Sequence, residues 1–491
     1  MATLVTVVYS LLSVPIALRF LSVDEFGLLM LLLQVAAYLN LVDLGMAAAT
    51  ARILIDHKDN PRGGGYASFI LAGGAVCLLQ GMIILVAGWF GSPYVIRAFA
   101  IAPDHAEIAV FLLRWLAATF AIGATLRIFG SILYANKRVD LVVLFMSLVP
   151  LLGLVLMWTV LSAGMGMRGM AWAFIIPAVI AGSGTAAAVI TLRLLPGRTD
   201  WRRPSWEQFK EMFVLGKDMF LINAGSQILD ASQLMIVTRT MGLGAAAIWS
   251  VSTKLFTLVY QLVTKVEGTA IVFFSEMMVR GERPLLALRF RQVYQLTAGL
   301  SVAAVAVVAG VNPFFVAVWA EPGLAWAPAL GLLLGVVTYL NCVTRCHVDL
   351  IMHSKQIRGL RYVFFFEAIG FVMLAVFASS LVGFTGVLAA AIVCAVCFRG
   401  IYTVHRTAAY FHVPVSTVSW VWLRRSILTF AGLLPFVMSA SNVAELVPHP
   451  WTKLAVATLW TGIPAAVAFL TVALPGDVRR EMRGRFLQIL R

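Results

Sequence analysis

The sequence predicts an all-α, polytopic integral membrane protein of about fourteen transmembrane helices. Three observations carry this. Hydrophobic residues make up 61% of the 491-residue chain and charged residues only 12%, about half the charge of a soluble protein. The apolar residues fall in runs that cross a bilayer at about 1.5 Å per residue, with short polar breaks between them. Basic residues are dense in alternate breaks and sparse in the others, as in a chain threaded back and forth.

The runs cover 3–21, 26–50, 66–91, 107–134, 139–162, 169–193, 218–240, 246–274, 293–319, 326–352, 362–382, 386–409, 424–443 and 451–474. An even number places both termini on one side. Of the 37 Lys and Arg, 26 fall in the even-to-odd connections and the tail, whereas the opposite face has only Arg19, Arg97, Arg168, Arg239 and Lys453. The excess puts both termini in the cytoplasm. The net charge of +15 is thus a property of one membrane face, and no nucleic acid is expected as partner. The first run opens at Leu4 with no basic region before it and no small-residue cleavage site before Arg19, so no cleavable signal is expected. A start codon assigned too late would give the same abrupt opening. The five cysteines all sit in apolar runs and no His completes a ligand set. They read as small buried thiols, with no metal and no cofactor.

The longest break, 196–217, contains Pro204-Ser205 followed by Glu207, a helix-start signal. Trp206, Phe209, Met212 and Phe213 would give that helix an interfacial face. The break divides the chain into an N-lobe at 1–195, a cytoplasmic linker at 196–217 and a C-lobe at 218–410. Helices 13 and 14 follow at 411–474, then a basic tail at 475–491. LSVDEFGLLML near Gly27 and TMGLGAAAIWSV near Ala247 stand 220 residues apart, as do Asp56 and Glu276. Two pseudo-symmetric six-helix lobes, inserted in the same orientation, account for this. Gly63-Gly64-Gly65 lacks the following Lys-Ser/Thr, so ATP is not the expected driver.

Leu21-Ser-Val-Asp-Glu-Phe-Gly-Leu28, Tyr38-Leu-Asn-Leu-Val-Asp43-Leu-Gly45 and Ala51-Arg52 together resemble the opening of polysaccharide flippases of the Wzx type. These belong to the multidrug/oligosaccharidyl-lipid/polysaccharide exporter superfamily. Ser275-Glu276 with Gly281, Trp319 and Lys355 resemble later parts of the same family, so the likeness runs over roughly residues 3–410. It implies a MATE-like, two-lobed, alternating-access carrier in the bacterial inner membrane. The implied cargo is undecaprenyl-diphosphate-linked oligosaccharide, moved from inner to outer leaflet, with helices 1, 2, 7 and 8 around a cationic cavity. The expected partners are that lipid-linked oligosaccharide and membrane lipids, to which the basic tail could adhere; glycosyltransferases and a polymerase of the same pathway are the alternative contacts.

Such a cargo needs fixed cations for its diphosphate. Lys254 and Lys265 are eleven residues apart, so they share a helix face some 16 Å apart in height. They could instead snorkel to the headgroup layers. Arg52, at the end of the second run, and Arg19, at the end of the first, are further diphosphate candidates; each could equally be an anchor at a membrane face. Asn223, Gln227 and Asp230 stand at i, i+4 and i+7 of the seventh run and share one face. Asn223 and Gln227 are read as cargo contacts, or as hydrogen bonds between helices. Asp230 and Asp43, read as carboxylates buried in spans, with the Asp230 face turned to a helix bundle or a wet cavity, are the ion-coupling candidates. Arg127 is expected to pair with Asp43. Arg345 and Asp349, at i and i+4 with Asn341 one turn earlier, are read as structural ionic glue.

Three other classes are weighed. A membrane-embedded glycosyltransferase, ligase or polymerase is disfavoured because no outer loop exceeds roughly fifteen residues. A drug/cation antiporter conflicts with the intramembrane cations, which repel a cationic cargo. A lipid II flippase shares the diphosphate, so charge pattern does not separate it.

Overall fold

The computed structural model describes residues 2–474 apart from 59–64, 198, 199, 202, 321, 325, 355 and 356, together with 476 and 479. Lys355, two residues of the Gly63–Gly65 run and all but Gly476 and Arg479 of the basic tail lie outside the described residues. Among the described residues no strand occurs. Twelve helices are long and apolar enough to cross a membrane. The other two of the fourteen runs are also helical: Ala2–Phe20, whose apolar part Leu4–Phe20 is shorter, and Trp206–Met241, which carries more polar residues. The chain is a multi-pass membrane protein.

The chain forms two compact units, Met1–Ala247 and Ile248–Arg491. The first begins with α1 (Ala2–Phe20) and α2 (Val23–Ala37). A capping box starts α2: the Glu25 N–H donates to Ser22 Oγ at 3.2 Å, and the Ser22 N–H to Glu25 Oε2 at 2.8 Å. The run at 26–50 is not one continuous helix. After α2 the chain tightens into a 3-10 turn over Tyr38–Asp43, then passes through left-handed Leu44 and Gly45 (φ 51° and 74°) before α3 (Met46–His57). Glycine is needed at 45 twice over: its φ is positive, and an added Cβ would lie 2.5 Å from the carbonyl oxygen of Gly216. Then follow α4 (Gly65–Ala98), α5 (Pro103–Ala135), α6 (Val139–Ser162) and α7 (Gly166–Thr191). Helix α5 packs between α4 and α7, and α6 lies between α1 and α7.

The expected linker helix is not a separate element. Ser205 caps a single 36-residue helix, α8 (Trp206–Met241), through a second capping box with Gln208, and at about 1.5 Å per residue this helix is about 54 Å long. Gln208 Nε2 also donates to Ser68 Oγ on α4 at 2.6 Å. Met212 is buried in the first unit's core, while Trp206 and Phe213 are exposed. Helix α8 packs on α2 and α3. A Cβ at Gly27 would meet the Leu243 carbonyl oxygen at 2.1 Å. So the run expected to open the second lobe packs with the first, held where glycines let backbones approach.

The second unit takes up the chain within α9 (Leu243–Ser252) and continues with α10 (Lys254–Arg280), α11 (Arg283–Trp319), α12 (Pro328–His353) and α13 (Arg358–Val382). Next come α14 (Phe384–Cys394), a π turn over Ala395–Gly400, and α15 (Ile401–Phe411). The last pair, α16 (Arg424–Ala444) and α17 (Pro450–Ala468), packs against α11. Gly310 and Gly299 of α11 make room there for Thr461 and Ala473. The internal repeat is visible in the helix ends: Val23 and Leu243 begin helices, Ser162 and Val382 end them, and so do Thr191 and Phe411, each pair 220 residues apart.

Candidate functional site: ionic groups inside the two units

In the first unit the 3-10 turn delivers Asp43 to the middle of the packed helices. Arg127 Nη1 of α5 donates to Asp43 Oδ1 at 2.6 Å. The same oxygen accepts the Ala47 N–H at 3.2 Å, capping the first turn of α3. The Asp43 carbonyl accepts Gln80 Nε2 of α4 at 3.0 Å. Asp43 therefore ties α3, α4 and α5 together, and its charge is matched by a fixed guanidinium.

The polar stripe of α8 points away from that core. Ile222, Ala224, Ala231 and Leu234 are buried, whereas Asn223 and Asp230 are exposed and Gln227 is half-buried. The sequence reading of Asp230 as a buried carboxylate is corrected: helical rotation places it on the accessible face, near Tyr38. Arg52 is corrected as well. It does not end the second span but lies exposed on α3, with no ionic or hydrogen-bonding partner among the described residues. Arg19 is exposed, and its guanidinium lies 5.8 and 5.5 Å from the Phe20 and Trp158 ring centroids, a cation–π arrangement that holds it at the end of α1.

In the second unit the helical path is interrupted at Thr253, between α9 and α10. Local side chains compete with the backbone here. Thr253 Oγ1 donates back to the Trp249 carbonyl at 2.7 Å. Ser252, fully buried, donates to the Leu324 carbonyl at 3.2 Å, and its own carbonyl accepts Asn312 Nδ2 at 3.0 Å. Lys254 is the first residue after the interruption. It is half-buried, and its ammonium has no partner among the described residues. Lys265, three turns on, is exposed and likewise without a partner among them.

Two ion pairs lie deeper. Arg345 Nε and Asp349 Oδ1 are 3.0 Å apart along α12. Asn341, which spacing groups with them, instead accepts from Arg399 Nη2 at 2.7 Å. Arg399, projecting from the π turn, also pairs at 3.3 Å with Glu367 of α13, which is 1% exposed. His347 Nδ1 lies 2.9 Å from Thr407 Oγ1. Cys397 is exposed, contrary to the expectation of buried thiols throughout.

Sequence reasoning missed Glu267. It is 2% exposed, and neither carboxyl oxygen has a hydrogen-bond partner among the described residues. Its signal was there to read. Phe256, Val259, Val263, Glu267 and Phe274 follow helical spacing along the buried face of α10, so a carboxyl stands in an apolar stripe. No group of three metal-ligating side chains occurs among the described residues.

Together these arrangements amount to cations and carboxyls held inside membrane-spanning helices, partly neutralised. That suits a protein that guides charge through a bilayer. The sequence profile of polysaccharide biosynthesis proteins matches residues 16–330. The chain belongs to this family. The matched stretch contains Asp43, Arg127, Lys254, Lys265 and Glu267, so most of the ionic groups lie in what the family shares in extent. No curated protein matches the chain.

Solved structures give the same fold at low identity. An inward-facing multidrug resistance MATE family transporter of the MOP superfamily is 15% identical, with a TM-score of 0.72 over 84% of this chain and 95% of its own. The lipid II flippase MurJ, in an inward closed conformation, is 10% identical, with a TM-score of 0.70 over 95% of this chain and 96% of its own. A MOP superfamily transporter from Pyrococcus furiosus is 15% identical, with a TM-score of 0.54 over 83% of this chain and 96% of its own.

Proposed function

We propose that this polysaccharide biosynthesis protein is a carrier rather than an enzyme. It translocates undecaprenyl-diphosphate-linked oligosaccharide across the bacterial inner membrane by alternating access, with both termini in the cytoplasm. The observation that carries this is Lys254: a half-buried ammonium at the first turn of α10, with no counter-charge among the described residues. An uncompensated cation in a membrane span is costly, by about 2.5–3.5 kcal/mol on insertion scales. The amides at the start of α10 point the same way electrostatically, since a helix N-terminus carries about half a positive charge. A visiting dianion relieves both, and a diphosphate is such a group. Lys265, on the same face, gives the headgroup a second station, and Arg52, Arg19, Asn223 and Gln227 remain cargo contacts under this reading.

The test is translocation of a fluorescent undecaprenyl-diphosphate oligosaccharide by the full chain in proteoliposomes. Lys254→Ala is expected to lower the initial rate by about tenfold, the worth of one charge-assisted contact of about 1.4 kcal/mol, and Lys254→Arg to retain most of it. An unchanged rate in Lys254→Ala refutes the assignment. A lipid II cargo is the second reading, favoured by the 95% coverage of this chain by the MurJ fold. Faster transport of lipid II than of the oligosaccharide in the same vesicles would select it.

A further inference from the structure

We propose that Glu267 is the proton-binding site that couples transport to the proton gradient, and that Arg345 is the partner Glu267 gains when the proton leaves. The proposal rests on the carrier reading above and names its driving ion.

Glu267 sits where a bare carboxylate is hard to keep. On its own helix it follows Val259 and Val263, which pack with Val305 and Cys342 in one apolar cluster, and precedes Phe274, which belongs to a second with Phe290, Tyr294 and Leu350. Burying an unpaired ion costs several kcal/mol, whereas a carboxyl that keeps its proton is neutral and escapes most of that cost.

The groups around Glu267 do not neutralise it. From α12 it faces Arg345, Asp349 and the thiols of Cys342 and Cys346. Arg345 is already engaged by Asp349. From α11, Thr297 and Tyr294 lie beside Cys346. On α10 itself, Tyr260 is near Arg345, and Lys265 is exposed two residues before Glu267, on the other side of the helix. Arg345 is the guanidinium that faces Glu267, and Asp349 already holds it. Neither Glu267 oxygen has a hydrogen-bond partner among the described residues. A metal cation would need several oxygen ligands around it; next to Glu267 stand two thiols and one carboxylate already paired. A proton needs none.

The step balances simply. The Glu267 O–H bond breaks, the proton leaves, and the carboxylate that remains draws Arg345 into a bridge shared with Asp349. Arg345 is placed for this, because its side chain is 47% exposed while Asp349 beneath it is 11% exposed. It therefore connects accessible space to the buried carboxyl. Helices α10 and α12 pack against each other, so a charge pair formed between them changes how tightly they are held. Loss of the proton thereby becomes a change in helix packing.

The test has two parts. In the first, the full-length protein in lipid nanodiscs is titrated with infrared difference spectroscopy in the protonated-carboxyl stretching region. The wild type is expected to show a carboxyl band that disappears as pH rises and shifts in deuterium oxide. The band is expected to be absent from Glu267→Gln, moved in Glu267→Asp, and retained in Asp43→Asn and Asp230→Asn. Unfolding temperature checks that each variant is folded. A band that persists in Glu267→Gln overturns the proposal, and so does a band that sodium ions abolish at fixed pH. In the second part, proteoliposomes carry the fluorescent lipid-linked oligosaccharide. With one proton per cycle, each pH unit changes the steady-state distribution tenfold. Glu267→Gln is expected to remove this pH dependence while downhill exchange persists. Retained pH dependence refutes the proton site. Absence of any transport by the wild type refutes the carrier reading instead, and the infrared band separates the two failures.

Discussion

The two units solve the same problem differently. Each holds a carboxyl among its helices, half-buried in the first and fully buried in the second, and each draws on the second and fourth helices of a six-helix repeat. In the first unit Asp43 and Arg127 stand 2.6 Å apart, with a helix cap and a glutamine on the same residue. In the second, Glu267 lies beside an Arg345–Asp349 pair that is already complete. Adding 220 to Asp43 and Arg127 reaches Val263 and His347. The second unit therefore lacks the first unit's pair and places its carboxyl four residues later, one turn along the same face. A closed ion pair fixes a structure, because opening it exposes two charges at once. An unpaired carboxyl next to an accessible arginine has two arrangements within reach, which a switch requires.

Four substitutions sharpen or break this contrast. The largest stability effect is expected from Arg399→Ala, which removes a guanidinium paired with Glu367 at 1% exposure. A loss of about 3–5 kcal/mol is expected, read as a lowered denaturation midpoint in detergent. Gly27→Ala comes next, because the new Cβ meets the Leu243 carbonyl at 2.1 Å; about 1–3 kcal/mol is expected from forced separation of the backbones. Arg127→Ala should cost about 1–2 kcal/mol, less than a fully buried pair because both partners keep some accessibility. If Arg127→Ala left stability unchanged, the first unit's pair would not be structural and the contrast would collapse. The smallest effect belongs to Glu276→Ala. Its pair with Arg280 is exposed on both sides, and a change within about 0.5 kcal/mol is expected.

The membrane-spanning runs were legible because hydropathy adds residue by residue, and twelve of the fourteen apolar runs coincide with helices long and apolar enough to cross a membrane. Details that depend on a second helix were not. The break at Leu44–Gly45 answers the backbone of Gly216, which stands 171 residues away in the chain. Spacing along one helix grouped Asn341 with Arg345 and Asp349. The actual donor to Asn341 is Arg399, 58 residues on, and no periodicity on α12 points to it. Asp43 and Arg127 could be matched by charge alone, since the first unit offers few buried ions. Asp230 was read as buried because it is charged and lies in an apolar run; which side of α8 it occupies is decided by Ile222, Ala231 and Leu234. Glu267 was overlooked for the opposite reason: a continuous apolar face draws attention to its pattern and away from the one member that breaks it.

The glycine contacts of α8 have a practical consequence for anyone wishing to make the molecule in two pieces. The long polar break before Trp206 invites a cut there, but such a cut would strip from the amino-terminal fragment the helix whose Gly216 is seated against Gly45. The fragment would expose the bare backbone at Gly45. A division at Gly242, where φ of 90° already bends the path between α8 and α9, leaves that seat filled. Co-expressed halves are expected to reassemble from the second cut and to aggregate from the first.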